Sequence, residues 1–160
     1  MELYLKQKRG LSPGYEILDG HGALLFTAEG FRNERKLVHI RNTENLYLAS
    51  VRVEAGSAHA ILYGITGEDP HFVSVYEKDR RVGEVLRTDM GYAYEQRGLY
   101  AEVRGRGRTI RIRDREGFLI ASVSRLRFRR PDFYVMSIAR RRSAFDVVIM
   151  TLAVDMDCTL

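Results

Sequence analysis

A single cysteine, three prolines and the want of any long apolar run exclude several architectures from the outset. Cys158 has no partner for an internal disulfide and cannot build a multi-cysteine zinc site. No signal-peptide pattern precedes the first strand-like segment, so a reducing cytoplasm is the expected setting. No stretch reaches the ~18 to 20 apolar residues a helix needs to cross a bilayer, and no transmembrane segment is expected. No Pro- or Ser-rich linker divides the chain, and its 160 residues suffice for one core. Residues 1–160 are therefore expected to form a single domain.

Catalytic equipment is equally sparse. His21, His39, His59 and His71 show no metal-ligand spacing, and Asp155 and Asp157 lack the oxygen-rich loop that a calcium site requires. Cys158 has no base paired with it in the sequence. Gly20-x-Gly22 and Gly105-x-Gly107 are followed by no helix, so they read as hairpin turns and not as nucleotide loops. No metal, no cofactor and no enzymatic activity are expected.

What the chain does have is a C-terminal segment, residues 144–154, that is apolar on every side. At helical pitch it has no face to turn toward water, so it must be surrounded. Ser143 is placed to cap this helix, and Asp146 to meet its first-turn amides. Asp155 and Asp157 would end it at the mouth of whatever encloses it.

Nearly everything earlier alternates apolar and polar residues with period two. A degenerate unit recurs as Tyr15-x-Ile17-x-Asp19-x-x-Gly22-x-Leu24-Leu25 and as Ile110-x-Ile112-x-Asp114-x-x-Gly117-x-Leu119-Ile120. Between them lie Val38-x-Ile40-x-Asn42-x-x-Asn45-x-Tyr47-Leu48 and a fainter Val73-x-Val75-x-Glu77-x-x-Arg80-x-Val82. Alternation broken by turn-tolerant residues is the mark of a β-hairpin. Further strands are expected at residues 58–63, 92–95, 99–104, 119–128 and 132–138, while 30–36 reads as either loop or strand. A sandwich fills its core from its own two faces, whereas a closed sheet can surround a helix. The fold class is therefore mainly β, a barrel with one central helix.

These same residues carry a resemblance. The opening Tyr4-Leu5-Lys6-Gln7-Lys8, the hairpin motif from Ile17 to Phe26, its second copy at Ile112 to Ala121 and the closing Phe145 to Asp155 together resemble the tubby C-terminal-like superfamily. Within it they are most similar to the LURP-one-related proteins and their small bacterial relatives. Asn42 and Asn45 depart from the pattern, where Asp and Gly are usual. The resemblance implies a closed antiparallel barrel of about twelve strands threaded by the terminal helix. It also implies binding at membranes in some relatives, through phosphoinositide-binding basic residues in tubby domains proper. No site motif of the family can be carried over residue by residue.

Arginine is the remaining signal. Between Arg104 and Arg142 stand thirteen arginines against three acids, while lysine occurs only four times in the whole chain. Arg104, Arg106 and Arg108, then Arg111 and Arg113, then Arg125, Arg127 and Arg129 alternate with small or apolar residues. Period two sets each group on one strand face, with Ala101, Val103, Ile110, Ile112, Leu126 and Phe128 turned inward. On adjacent strands these arginines would form an outer band that suits a phosphate-bearing anion, a phospholipid headgroup first and nucleic acid as the alternative. The competing account is an ordinary solvated face with cross-strand pairs to acids. Arg140, Arg141 and Arg142 precede the helix, where they either bind an anion or pair with surface carboxylates at the rim. The expected role is a non-enzymatic binding or scaffold module, cytoplasmic and, if it meets headgroups, peripheral to a membrane.

Overall fold

A computed structural model describes residues 1–8, 10, 14–31, 34–54, 72–105, 108–126 and 133–158. The expected strand at 58–63 lies outside them. Twelve strands follow in chain order: β1 (Glu2–Gln7), β2 (Gly14–Asp19), β3 (Leu24–Phe31), β4 (Glu34–Asn42), β5 (Tyr47–Glu54), β6 (Phe72–Glu77), β7 (Arg80–Thr88), β8 (Gly91–Tyr94), β9 (Leu99–Arg104), β10 (Thr109–Asp114), β11 (Leu119–Leu126) and β12 (Phe133–Ile138). Each pairs antiparallel with its sequence neighbour, and β1 pairs with β12 through Leu3 opposite Met136, so the sheet closes into a barrel without a free edge.

Helix α1 (Ala144–Cys158) fills that barrel. Val147, Val148, Ile149, Met150, Leu152 and Ala153 have no exposed surface, and neither do the inward residues Leu3, Leu5, Ile17, Val75, Val85 and Ile112 of the wall. Thr151 is tolerated in this apolar setting because its hydroxyl donates to the Val147 carbonyl at 2.8 Å, one turn back. The start of the helix differs from the sequence expectation. Ser143 sits in a 3-10 turn, Arg141–Ser143, and Asp146 points to Arg97, whose Nε lies 3.4 Å from its Oδ1. Burial pushes the Asp146 carboxyl up, and the Arg97 charge partly offsets that.

Because the strands alternate in direction, every connection that leaves an even-numbered strand lies at one end of the barrel, where α1 begins. We call this the proximal rim. The odd-numbered strands end at the distal rim, where α1 finishes. Three of the four sequence repeats are one turn made three times at the proximal rim. Asp19, Asn42 and Asp114 accept at their backbone carbonyls from the amides of Gly22, Asn45 and Gly117. Their side-chain oxygens also accept from amides farther round the turn, those of Ala23, Leu46 and Phe118. The third position after the acid or amide takes a left-handed conformation, with φ of 83° at Gly22, 63° at Asn45 and 85° at Gly117. Asparagine is thus a working substitute for glycine here. The fourth repeat turns differently: Lys78 and Asp79 both have positive φ, the geometry of a two-residue hairpin loop.

All four hairpins carry a bulge after the turn. The register jumps so that Leu25, Leu48, Val82 and Ile120 are left without a direct partner. The second residue of the repeat's apolar doublet is therefore a bulge, which lets it and the residue after it, as Ile120 and Ala121, both face the interior while the first, Leu24 or Leu119, is exposed.

The Asp19 turn gives a pH-dependent expectation. Its Oδ1 accepts from the amides of Ala23 and His21, each at 2.9 Å, and these bonds hold its carboxyl below the usual carboxylate range. A depressed native pKa contributes stability above the unfolded value of ~3.9 that is lost as pH falls through the native value. Asp19→Ala is expected to lower the melting temperature near neutral pH, with the gap to wild type shrinking below about pH 4. Melting curves followed by circular dichroism across that window check it; a gap independent of pH would contradict the assignment.

Candidate functional site

Strands β9, β10 and β11 are neighbours, as an arginine band requires, but their register interleaves the charges with other residues. Arg111 lies opposite Glu102 on β9 and Ser122 on β11, and Arg113 lies opposite Tyr100 and Leu119. Within β9, β10 and β11 no two described arginines share a register pair, which limits repulsion between facing cations. Just before β10, however, Arg108 stands opposite Arg125, whose amide donates to the Arg108 carbonyl at 2.7 Å. Arg104 and Glu102 form an exposed pair, Nη2 to Oε1 at 2.6 Å. Arg113 donates to the Gly117 carbonyl at 3.0 Å and so braces its own turn. Arg108 and Arg111 are exposed and, among the described residues, form no ion pair. Arg106, Arg127 and Arg129 lie outside the described residues, as does Phe128.

Arg125 corrects the sequence reading. Alternation placed it outside with Leu126 inside; in the barrel Leu126 is exposed, and Arg125 is half-buried with its guanidinium 5.5 Å from the ring centre of the buried Tyr134. The bulge at Ile120 is the cause. One extra residue reverses the inward phase of β11, so that Ala121, Val123 and Arg125 face the interior.

Arg125 joins a buried polar cluster at the distal rim. Asp155, 3% exposed, accepts from Tyr15 Oη at 2.6 Å and from Tyr134 Oη, and Asp157 accepts from Tyr92 Oη at 2.6 Å. Burial, and then the negative charge of Asp155, push the Tyr15 phenol far up, so it is a permanent donor. The helix end is thereby tied to β2, β8 and β12. The signal available in the sequence was a tyrosine at an inward-phase position near the start of each of these strands, matched to acids at the end of an apolar helix.

At the proximal rim the arginine triplet divides. Arg140 pairs with Asp114, Nη1 to Oδ2 at 3.6 Å, which is the rim pairing the sequence left open. Arg141 and Arg142 are exposed and have no ion pair among the described residues. They border a groove of about 580 Å³ beside the start of α1, floored by Leu25, Phe26 and Phe145. Among the described residues, no group of three or more His, Cys, Asp or Glu could hold a metal ion. No described helix is long and apolar enough to cross a membrane.

No family model and no curated protein matches the sequence. The fold does have a solved counterpart. The chain is similar to the X-ray structure of a protein from Arabidopsis thaliana, with a TM-score of 0.61 over 98% of this chain and 91% of that one, at 14% identity. At that identity the likeness establishes the barrel with its helix, and the fold alone.

Proposed function

We propose that the chain is a non-enzymatic binding module of the tubby-like, LURP-one-related kind, working in the cytoplasm at the surface of an anionic membrane. The likeness of fold and the resemblance read from the sequence support the family. The observation that carries the ligand class is the pair Arg108 and Arg111, exposed, without ion pairs among the described residues and close to Arg104 at the distal part of one wall. Glu102, opposite Arg111, is taken up by Arg104, so these neighbouring cations outnumber the acid beside them and raise the local positive potential. Each Lys or Arg near an anionic bilayer is worth ~1 kcal/mol. The guanidinium fork suits phosphate oxygens.

The test is co-sedimentation with vesicles of phosphatidylcholine alone or supplemented with phosphatidylserine and a phosphoinositide, at low and high salt, beside a mobility-shift assay with DNA and RNA. Binding to the anionic vesicles is expected to fall with salt and to weaken about tenfold or more in Arg108→Glu/Arg111→Glu, with the melting temperature unchanged. A salt-dependent shift of nucleic acid without vesicle binding would transfer the wall to nucleic acid. No binding to either would leave these arginines as solvated surface.

A further inference from the structure

The groove at the proximal rim has two edges of opposite charge. Arg141 and Arg142 form one, contributed by the 3-10 turn that leads into α1. Glu2 and Asp19 form the other, brought together because the pairing of β1 with β2 sets Leu3 opposite Asp19. His21 borders the same space. Two arginines and two carboxylates share one groove with Met1, whose ammonium donates to the Ile138 carbonyl at 2.9 Å, yet among the described residues neither arginine comes within 4.0 Å of either carboxylate. Each acid has local work instead: Glu2 accepts from Tyr4 Oη at 3.1 Å, and Asp19 holds its turn amides.

Between the edges the floor is apolar. Phe26 points inward from β3, and its ring centre lies 5.5 Å from that of Phe145, with Leu25, the bulged residue, beside it. The volume of about 580 Å³ falls within the ~300 to 1,000 Å³ of small-molecule sites. An apolar trough with a cationic edge and a separate anionic edge is complementary to an amphiphile whose head carries both charges.

We propose that this groove binds a single-chain zwitterionic phospholipid, with its phosphate on Arg141 and Arg142, its ammonium facing Glu2 and Asp19, and its acyl chain against Leu25, Phe26 and Phe145. This site is independent of the wall arginines. Its failure and theirs are separable, because Arg108→Glu/Arg111→Glu should leave it intact.

The experiment is calorimetric titration of the full chain with dodecyl lysophosphatidylcholine below its micelle concentration, beside glycerophosphocholine and dodecanoate. Saturable binding of one lysophospholipid per chain is expected, with no measurable binding of the chainless head. Arg141→Ala/Arg142→Ala, both exposed, should weaken binding about tenfold, the effect of losing one charge-assisted hydrogen bond. Glu2→Gln should weaken lysophosphatidylcholine several-fold while leaving dodecanoate unchanged or tighter. Absence of saturable binding, indifference to the arginine pair, or dodecanoate binding as tightly as the lysophospholipid would each overturn the proposal.

Discussion

Leu152→Ala is expected to destabilise the protein by ~2 to 5 kcal/mol, because the side chain is fully enclosed and a rigid surrounding sheet cannot collapse onto the space it leaves. For a domain of this size that corresponds to a fall in melting temperature of roughly 5 to 15 °C. Urea unfolding of the variant beside Ser124→Ala, an exposed position on β11, measures it. A shift no larger than that of the wall variant would contradict a helix packed on all sides.

Asp155→Ala should have a comparable effect by a different route. Removing the carboxylate leaves the buried phenols of Tyr15 and Tyr134 without the acceptor they share, and bonds to a charged acceptor contribute ~1.5 to 3 kcal/mol each. A loss of ~3 to 5 kcal/mol is expected, with Asp155→Asn milder because it keeps one acceptor oxygen. Tyr15→Phe and Tyr134→Phe should each lose part of it, and a double-mutant cycle with Asp155→Ala should show strong coupling. Additive effects at these positions would dissolve the cluster as a unit.

The turns and the helix were legible in the sequence because each is set by local chemistry. Asp19 with Gly22, and Asp114 with Gly117, specify a turn through one side-chain oxygen and one permissive backbone position, and Asn42 with Asn45 does the same with different residues. The uniform apolarity of residues 144–154 had only one physical resolution. The arginine wall was legible in part. Ile110 and Ile112 fixed the phase of β10 correctly, which put Arg111 outside. On β11 the same alternation failed, because a bulge is a relation between two strands: the Leu119-Ile120 doublet marks the place, but only the pairing with β10 shows that Ile120 opposes no residue there. The distal cluster was hidden for a similar reason. Asp155 is separated from Tyr15 by 140 residues, and only closure of the ring brings them together. The groove needed the same closure, since its two charged edges come from opposite ends of the chain.

The position of the helix in the order of synthesis carries a kinetic consequence. It follows every described strand that surrounds it, and the seam between β1 and β12 joins Leu3 to Met136, so closure must wait for β12 and filling for Ala144–Cys158 to be made. Native pairs of such long sequence separation are slow to form. A chain cut ahead of Ala144 would be a shell without contents, its apolar lining open to water. Cut ahead of Phe133, it would also keep strand edges free to pair with other molecules. Closure and filling should therefore come together once the helix has been made, and the period before that is the time of greatest exposure to aggregation.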